Sequence, residues 1–189
     1  MLKKLAISIA VLATLVLSTL ELSSQSSFGY QSPRYVKLAH EITDKTAKKL
    51  KDQKNLILIG TGGKMMDDIQ AMDMSFNYYQ VVNLEEARKL IGFIISEYLS
   101  DINNNQEIRP YLHEYPFTAK NVEIRIFIYN LDRSKVSPEK IYYVSAIDGI
   151  IDYYIRGPEK YSRKAIQEET YEEARAILNK SMTNSQRKV

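Results

Sequence analysis

The stretch KIYYVSAIDGIIDYYIR, from Lys140 to Arg156, restricts the fold more than any other part of the chain. Asp148-Gly149 stands between two runs rich in β-branched and aromatic residues. That dipeptide suits a two-residue type I′ turn, which needs positive φ at both central positions. A hairpin closed there sets Ala146 opposite Ile151, Val144 opposite Tyr153 and Tyr142 opposite Ile155. These six side chains share one face, which we assign to the core. Two strands cannot fold alone in water, so the rest of the chain must supply more strands and a cover.

Both are legible. NVEIRIFIY, from Asn121 to Tyr129, alternates strictly. Val122, Ile124, Ile126 and Ile128 face one way, and Glu123, Arg125, Phe127 and Tyr129 the other, as in a half-buried antiparallel strand. MSFNYYQVV alternates from Met74, and NLILIG is a short apolar strand. Between them, TGGKMMDDIQAMD reads as a loop or irregular edge.

Three helices complete the pattern. SPRYVKLAHEITDKTAKKLKDQK has Ser32 as N-cap and Pro33 in the first turn, with Tyr35, Leu38, Ala39, Ile42 and Leu50 on one face. NLEEARKLIGFIISEYLSDIN opens on Asn83 with Glu86 three residues on, a capping-box spacing. Its stripe of Leu84, Ala87, Ile91, Ile94, Ile95, Tyr98 and Ile102 predicts heavy burial. Thr170 and Glu173 begin a third helix in the same way. Strands follow one another without regular crossover helices. The expected class is therefore α+β, an antiparallel sheet of about five strands with three helices mainly on one face.

The N-terminus gives the destination. Lys3 and Lys4 precede an uncharged run from Leu5 to Leu20, Glu21 closes it, and small polar residues follow. That is the order of a secretory signal peptide, assigned to residues 1–26; without a clean A-x-A site, an uncleaved N-terminal anchor is the alternative. A single domain over 27–180 and a disordered basic tail over 181–189 are expected after it. The chain holds 26 basic and 23 acidic residues. Lys3, Lys4 and Glu21 fall in the leader, so the mature part carries a net +2. That balance does not favour nucleic acid, and no stable membrane span is expected after cleavage. With no cysteine, stability must come from a packed core and no lipoprotein anchor can form. The expected location is periplasmic or secreted.

Chemical motifs are sparse. GTGGK lacks the spacing of a phosphate loop, and Met65 stands where Ser or Thr would hold magnesium; a glycine-rich turn is expected. Met65, Met66, Met72 and Met74 raise a copper(I) alternative, since thioethers favour that ion, but no Cys or His reinforces them. Asp67, Asp68 and Asp73 lack calcium-loop spacing. His40 lies beside the apolar face of the first helix and reads as structural. His113 and Glu114 are adjacent, so in extended chain they point apart. No catalytic residue, metal ligand or cofactor is assigned; an exported enzyme without a familiar motif is the other alternative.

EIRPYLHEYPFT, from Glu107 to Thr118, is the densest stretch of recognition-type residues. One reading is a stiff loop that punctuates the passage into the next strand. The other is a binding loop offering Arg109, Tyr111, His113 and Tyr115, residue types with large contact area and low ordering cost. Its partner would be an unknown protein or envelope component.

The long helix, R-P-Y-L, Y-P-F-T and N-V-E-I within residues 83–128 resemble exported proteins of unknown function from chlamydia-like and Legionella-like intracellular bacteria. The resemblance implies a bacterial envelope protein or a secreted factor. It implies no activity and no functional residues.

Overall fold

The computed structural model describes residues 32–186, with side chains to Lys180. The expected signal peptide lies outside the described residues. Helix α1 (Arg34–Lys54) leads through Asn55, which takes the left-handed conformation as C-cap, into strand β1 (Ile57–Met65). Then follow β2 (Ile69–Tyr78), α2 (Leu84–Asn103), β3 (Val122–Ile128), β4 (Tyr143–Ile147), β5 (Ile150–Arg156), β6 (Arg163–Thr170) and α3 (Tyr171–Gln186). The six strands form one sheet in chain order.

The class is α+β; the described residues form three α-helices on a six-stranded sheet. The sheet is mixed. β2 and β3 run parallel, with Met74 beside Ile124 and Phe76 beside Ile126; the other pairs are antiparallel. The parallel step follows from α2. It returns the chain along the length of the sheet, so β3 starts at the end where β2 started. The sixth strand is β6, whose RKAIQEET has too many charges to stand out as a strand, because it is a sheet edge with most positions exposed.

TGGKM is strand rather than a glycine-rich turn; it is the irregular edge of the other expectation, with a register break between Lys64 and Met65. It forms the second half of β1 at the other edge of the sheet, with Gly62 opposite Asp73 and Gly63 opposite Met72. The glycines serve close approach. A Cβ at Gly63 would stand 2.5 Å from the Ala71 carbonyl oxygen, nearer than any side chain tolerates. The start of α1 also differs by one residue, with Pro33 at the N-cap. At the other end, α3 continues to Gln186, into the segment expected as a tail.

The core lies between the helices and one sheet face. Met72, Met74, Phe76, Val122, Ile124, Ile126, Val144, Ala146, Ile151 and Tyr153 supply the sheet side. Leu38, Ala39, Ile42 and Leu50 from α1 and Ile91, Ile94, Ile95, Tyr98 and Ile102 from α2 supply the cover. Two threonines on the buried face of α1 tie it to α2. The Thr43 hydroxyl meets the Tyr98 hydroxyl at 2.7 Å, and the Thr46 hydroxyl donates to the Asp101 carboxylate at 2.8 Å. The capping boxes at Asn83/Glu86 and Thr170/Glu173 are both formed. The β4–β5 hairpin pairs Ala146 with Ile151 and Val144 with Tyr153, and Asp148 (φ 55°) and Gly149 (φ 81°) make its turn.

Among the described residues, no helix lies on the opposite sheet face. Asp73, Ser75 and Asn77 of β2, Glu123, Arg125 and Phe127 of β3, Tyr143 and Ser145 of β4, and Asp152 and Tyr154 of β5 occupy it through the registered pairs.

Candidate functional site

The loop between α2 and β3 sits at the end of the sheet where β1 turns into β2. Its backbone is pinned from several directions. The Asn103 side chain accepts from the Phe117 amide (2.8 Å) and donates to the Phe117 carbonyl (2.9 Å). Asn105 Oδ1 accepts from the amides of Glu107 and Ile108. The His113 amide donates to the Ile69 carbonyl at 2.9 Å, so the loop adds a short parallel bridge beside β2. Asn121 donates to the Glu114 carboxylate at 2.7 Å and to the Gln70 carbonyl at 3.3 Å. Ile108, Leu112 and Phe117 are buried anchors.

This framework separates the four residues singled out from the sequence. Tyr111 is half-buried, packs on the core and meets the Tyr35 ring at 6.0 Å. It is a packing residue. Arg109, His113 and Tyr115 are exposed. The Arg109 guanidinium lies 4.4 Å from the centre of the Tyr115 ring. Both side chains also donate to the Asn103 carbonyl, each at 3.3 Å. His113 and Glu114 do diverge: Glu114 goes to Asn121, while His113 Nδ1 reaches Asp68 Oδ2 at 2.6 Å. A carboxylate can only accept, so Nδ1 carries the proton. This partnership raises the His113 pKa above 6.5 and lowers that of Asp68, the hydrogen bond being the largest cause in each case.

The other candidates disperse. Met72 and Met74 share the core face and are fully buried, whereas Met66 is 84% exposed at the β1–β2 turn. The thioethers are not gathered into one set. His40 is exposed rather than packed beside the apolar face of α1. Among the described residues, no three His, Cys, Asp or Glu side chains converge as a metal site. No helix among them is long and apolar enough to cross a membrane.

The sheet face without a described helix is a second feature that the sequence did not flag; Tyr143 and Ser145 are buried on it, and Phe127 and Tyr154 are partly exposed. Toward the end where β2 and β3 finish, aromatic rings form a band. Tyr79 and Tyr129 are 5.8 Å apart, Phe127 and Tyr143 are 5.0 Å apart, and Tyr143 and Tyr154 are 5.5 Å apart. Toward the other end the face is charged. Glu123 is paired with Lys64 (3.1 Å) and Arg125 (2.7 Å). Asp73 beside it has its pKa raised, chiefly by burial, with Glu123 adding and Arg125 opposing. The signal lay in alternation: Phe127 and Tyr129 fall on the polar side of their strand, and Tyr143 and Tyr154 fall out of phase with the core positions of the hairpin.

No protein-family model matches this chain, and neither does any curated protein or any solved structure.

Proposed function

We propose that this protein is an exported bacterial binding or adaptor domain, periplasmic or secreted and without catalysis of its own. In this reading it engages a protein or envelope component through Arg109, His113 and Tyr115. One observation carries it: three large polar or aromatic side chains are exposed on a loop whose backbone is fixed by buried anchors and by Asn103, Asn105 and Asn121. A surface ordered in advance loses little freedom on binding, and arginine and tyrosine are the residue types that dominate binding energetics. The leader-like N-terminus and the resemblance to exported bacterial proteins support the location.

The test is a pull-down from bacterial envelope extract with the mature chain, beside the triple variant Arg109→Ala, His113→Ala, Tyr115→Ala. Exposed substitutions usually shift stability by less than about 0.5 kcal/mol each, so the variant should stay folded. A partner held by the wild type and released by the variant is the expected result. Equal retention by both overturns the role of the loop.

A further inference from the structure

We propose a second binding site on the sheet face without a described helix, where the aromatic band and its arginines take an acidic, extended segment of a partner protein. The inference is independent of the Arg109–Tyr115 loop.

Arg163 at the start of β6 lies 4.9 Å from the Tyr154 ring centre and 5.6 Å from that of Tyr143. Arg133, in the β3–β4 connection, lies 5.5 Å from the Tyr79 ring centre. Both are exposed. Among the described residues neither has a hydrogen-bond acceptor or a carboxylate partner for its guanidinium. A charged fork held in place by rings, with its donors unspent, is preorganised for a carboxylate. Two acids of the β3–β4 connection are already engaged. Asp132 accepts from the Ser134 amide and hydroxyl, and Glu139 accepts from the Ser137 hydroxyl. Apolar contact is available at the same end, where Leu131 is 86% and Tyr161 90% exposed.

Two observations choose among anionic partners. The guanidiniums already lie against Tyr79, Tyr143 and Tyr154, and Tyr143 is buried, so a stacking nucleobase competes with them for these rings. The face also carries Asp152 beside Tyr154, and Asp73 and Glu123 further along. A continuous polyphosphate would meet those carboxylates and be repelled. A polypeptide can place acids opposite Arg163 and Arg133 and put neutral or basic residues opposite the carboxylates. Tyrosine–arginine surfaces of this composition are typical of protein recognition.

The experiment uses the full mature chain and three labelled probes followed by fluorescence anisotropy. They are a glutamate–tyrosine copolymer peptide, an oligothymidylate of the same charge, and vesicles containing an anionic phospholipid. The peptide should bind saturably, weaken as salt rises, and lose about tenfold or more in affinity with Arg163→Glu plus Arg133→Glu, the scale of a lost charged contact. Circular dichroism confirms that this variant is folded; if it is not, Arg163→Gln alone serves, with the same direction expected. The triple alanine variant of the loop should bind the peptide like wild type. No peptide binding, unchanged binding by the charge-reversed variant, or preference for the oligonucleotide or the vesicles overturns the proposal.

Discussion

Arg88 on α2 and Glu169 on β6, 81 positions apart in the chain, form a bidentate ion pair beneath the helix layer. Arg88 Nε reaches Glu169 Oε1 at 2.7 Å, and the second guanidinium nitrogen reaches Oε2 at 2.9 Å. The Tyr153 hydroxyl donates to Glu169 Oε1 at 2.7 Å. Both charged side chains are nearly out of solvent. Hydrogen bonding to Glu169 raises the Arg88 pKa, and burial raises that of Tyr153. The group ties the edge strand to the central helix. Removing one partner leaves a buried charge unmatched, so Glu169→Ala should cost about 3–5 kcal/mol. Urea denaturation measures it. Replacing both by apolar residues, as in Arg88→Met with Glu169→Leu, should recover most of that loss. A single-variant cost below about 1 kcal/mol, the scale of a surface pair, would show that the pair is not sealed from water.

The hairpin turn gives a sharper test of backbone strain. Gly149 has φ 81°, and a Cβ there would stand 3.2 Å from Lys120 Cγ. Gly149→Val adds a branched side chain in a left-handed conformation, which costs about 1–3 kcal/mol. Asp148→Gly at the neighbouring position, φ 55°, should be far milder, because glycine accepts that conformation. The comparison of denaturation midpoints is decisive. An unchanged midpoint in the valine variant would place the turn elsewhere.

The His113–Asp68 contact makes the loop sensitive to pH. The histidine pKa is raised above 6.5, so its contribution is fully present below that value and fades as pH rises through the raised one. The Asp68 pKa is lowered below 3.8, so its contribution is present above that value and fades as pH falls through the lowered one. The contact is therefore strongest between the two. An NMR titration of the His113 ring should give a value above 6.5, and Asp68→Asn should move it back down. A titration unaffected by Asp68→Asn would mean that the two side chains do not pair in solution.

Export is tested by mass. Expressed in a Gram-negative host, the chain should leave the cytoplasm with a new N-terminus between about Thr19 and Gly29, as signal-peptide processing requires. Soluble cytoplasmic protein that keeps residues 1–26 would overturn the export reading.

Local rules determined much of this protein. Capping boxes at Asn83 and Thr170, the Asp148-Gly149 turn, and the alternation of β3 are written within a few residues of where they act. Side chains there meet their own neighbours in sequence, so spacing alone reveals them. The same holds for the buried stripe of α2 and for the concentration of recognition residues from Arg109 to Tyr115.

What only the tertiary structure decided involves partners far apart in the chain. The parallel pairing of β2 with β3 depends on how α2 packs as a crossover, not on the pattern of either strand. β1 and β6 are sheet edges, so glycine and charge are tolerated where a central strand would show an apolar pattern. Asp68 lies 45 positions from His113, and Glu169 lies 81 from Arg88; nothing local selects either match. The division of the loop into packed Tyr111 and exposed Arg109, His113 and Tyr115 came from the same source. A tyrosine's sequence neighbours do not tell whether its ring meets the core or solvent. That depends on which surface the folded chain brings beneath it, here the Tyr35 ring at the start of α1.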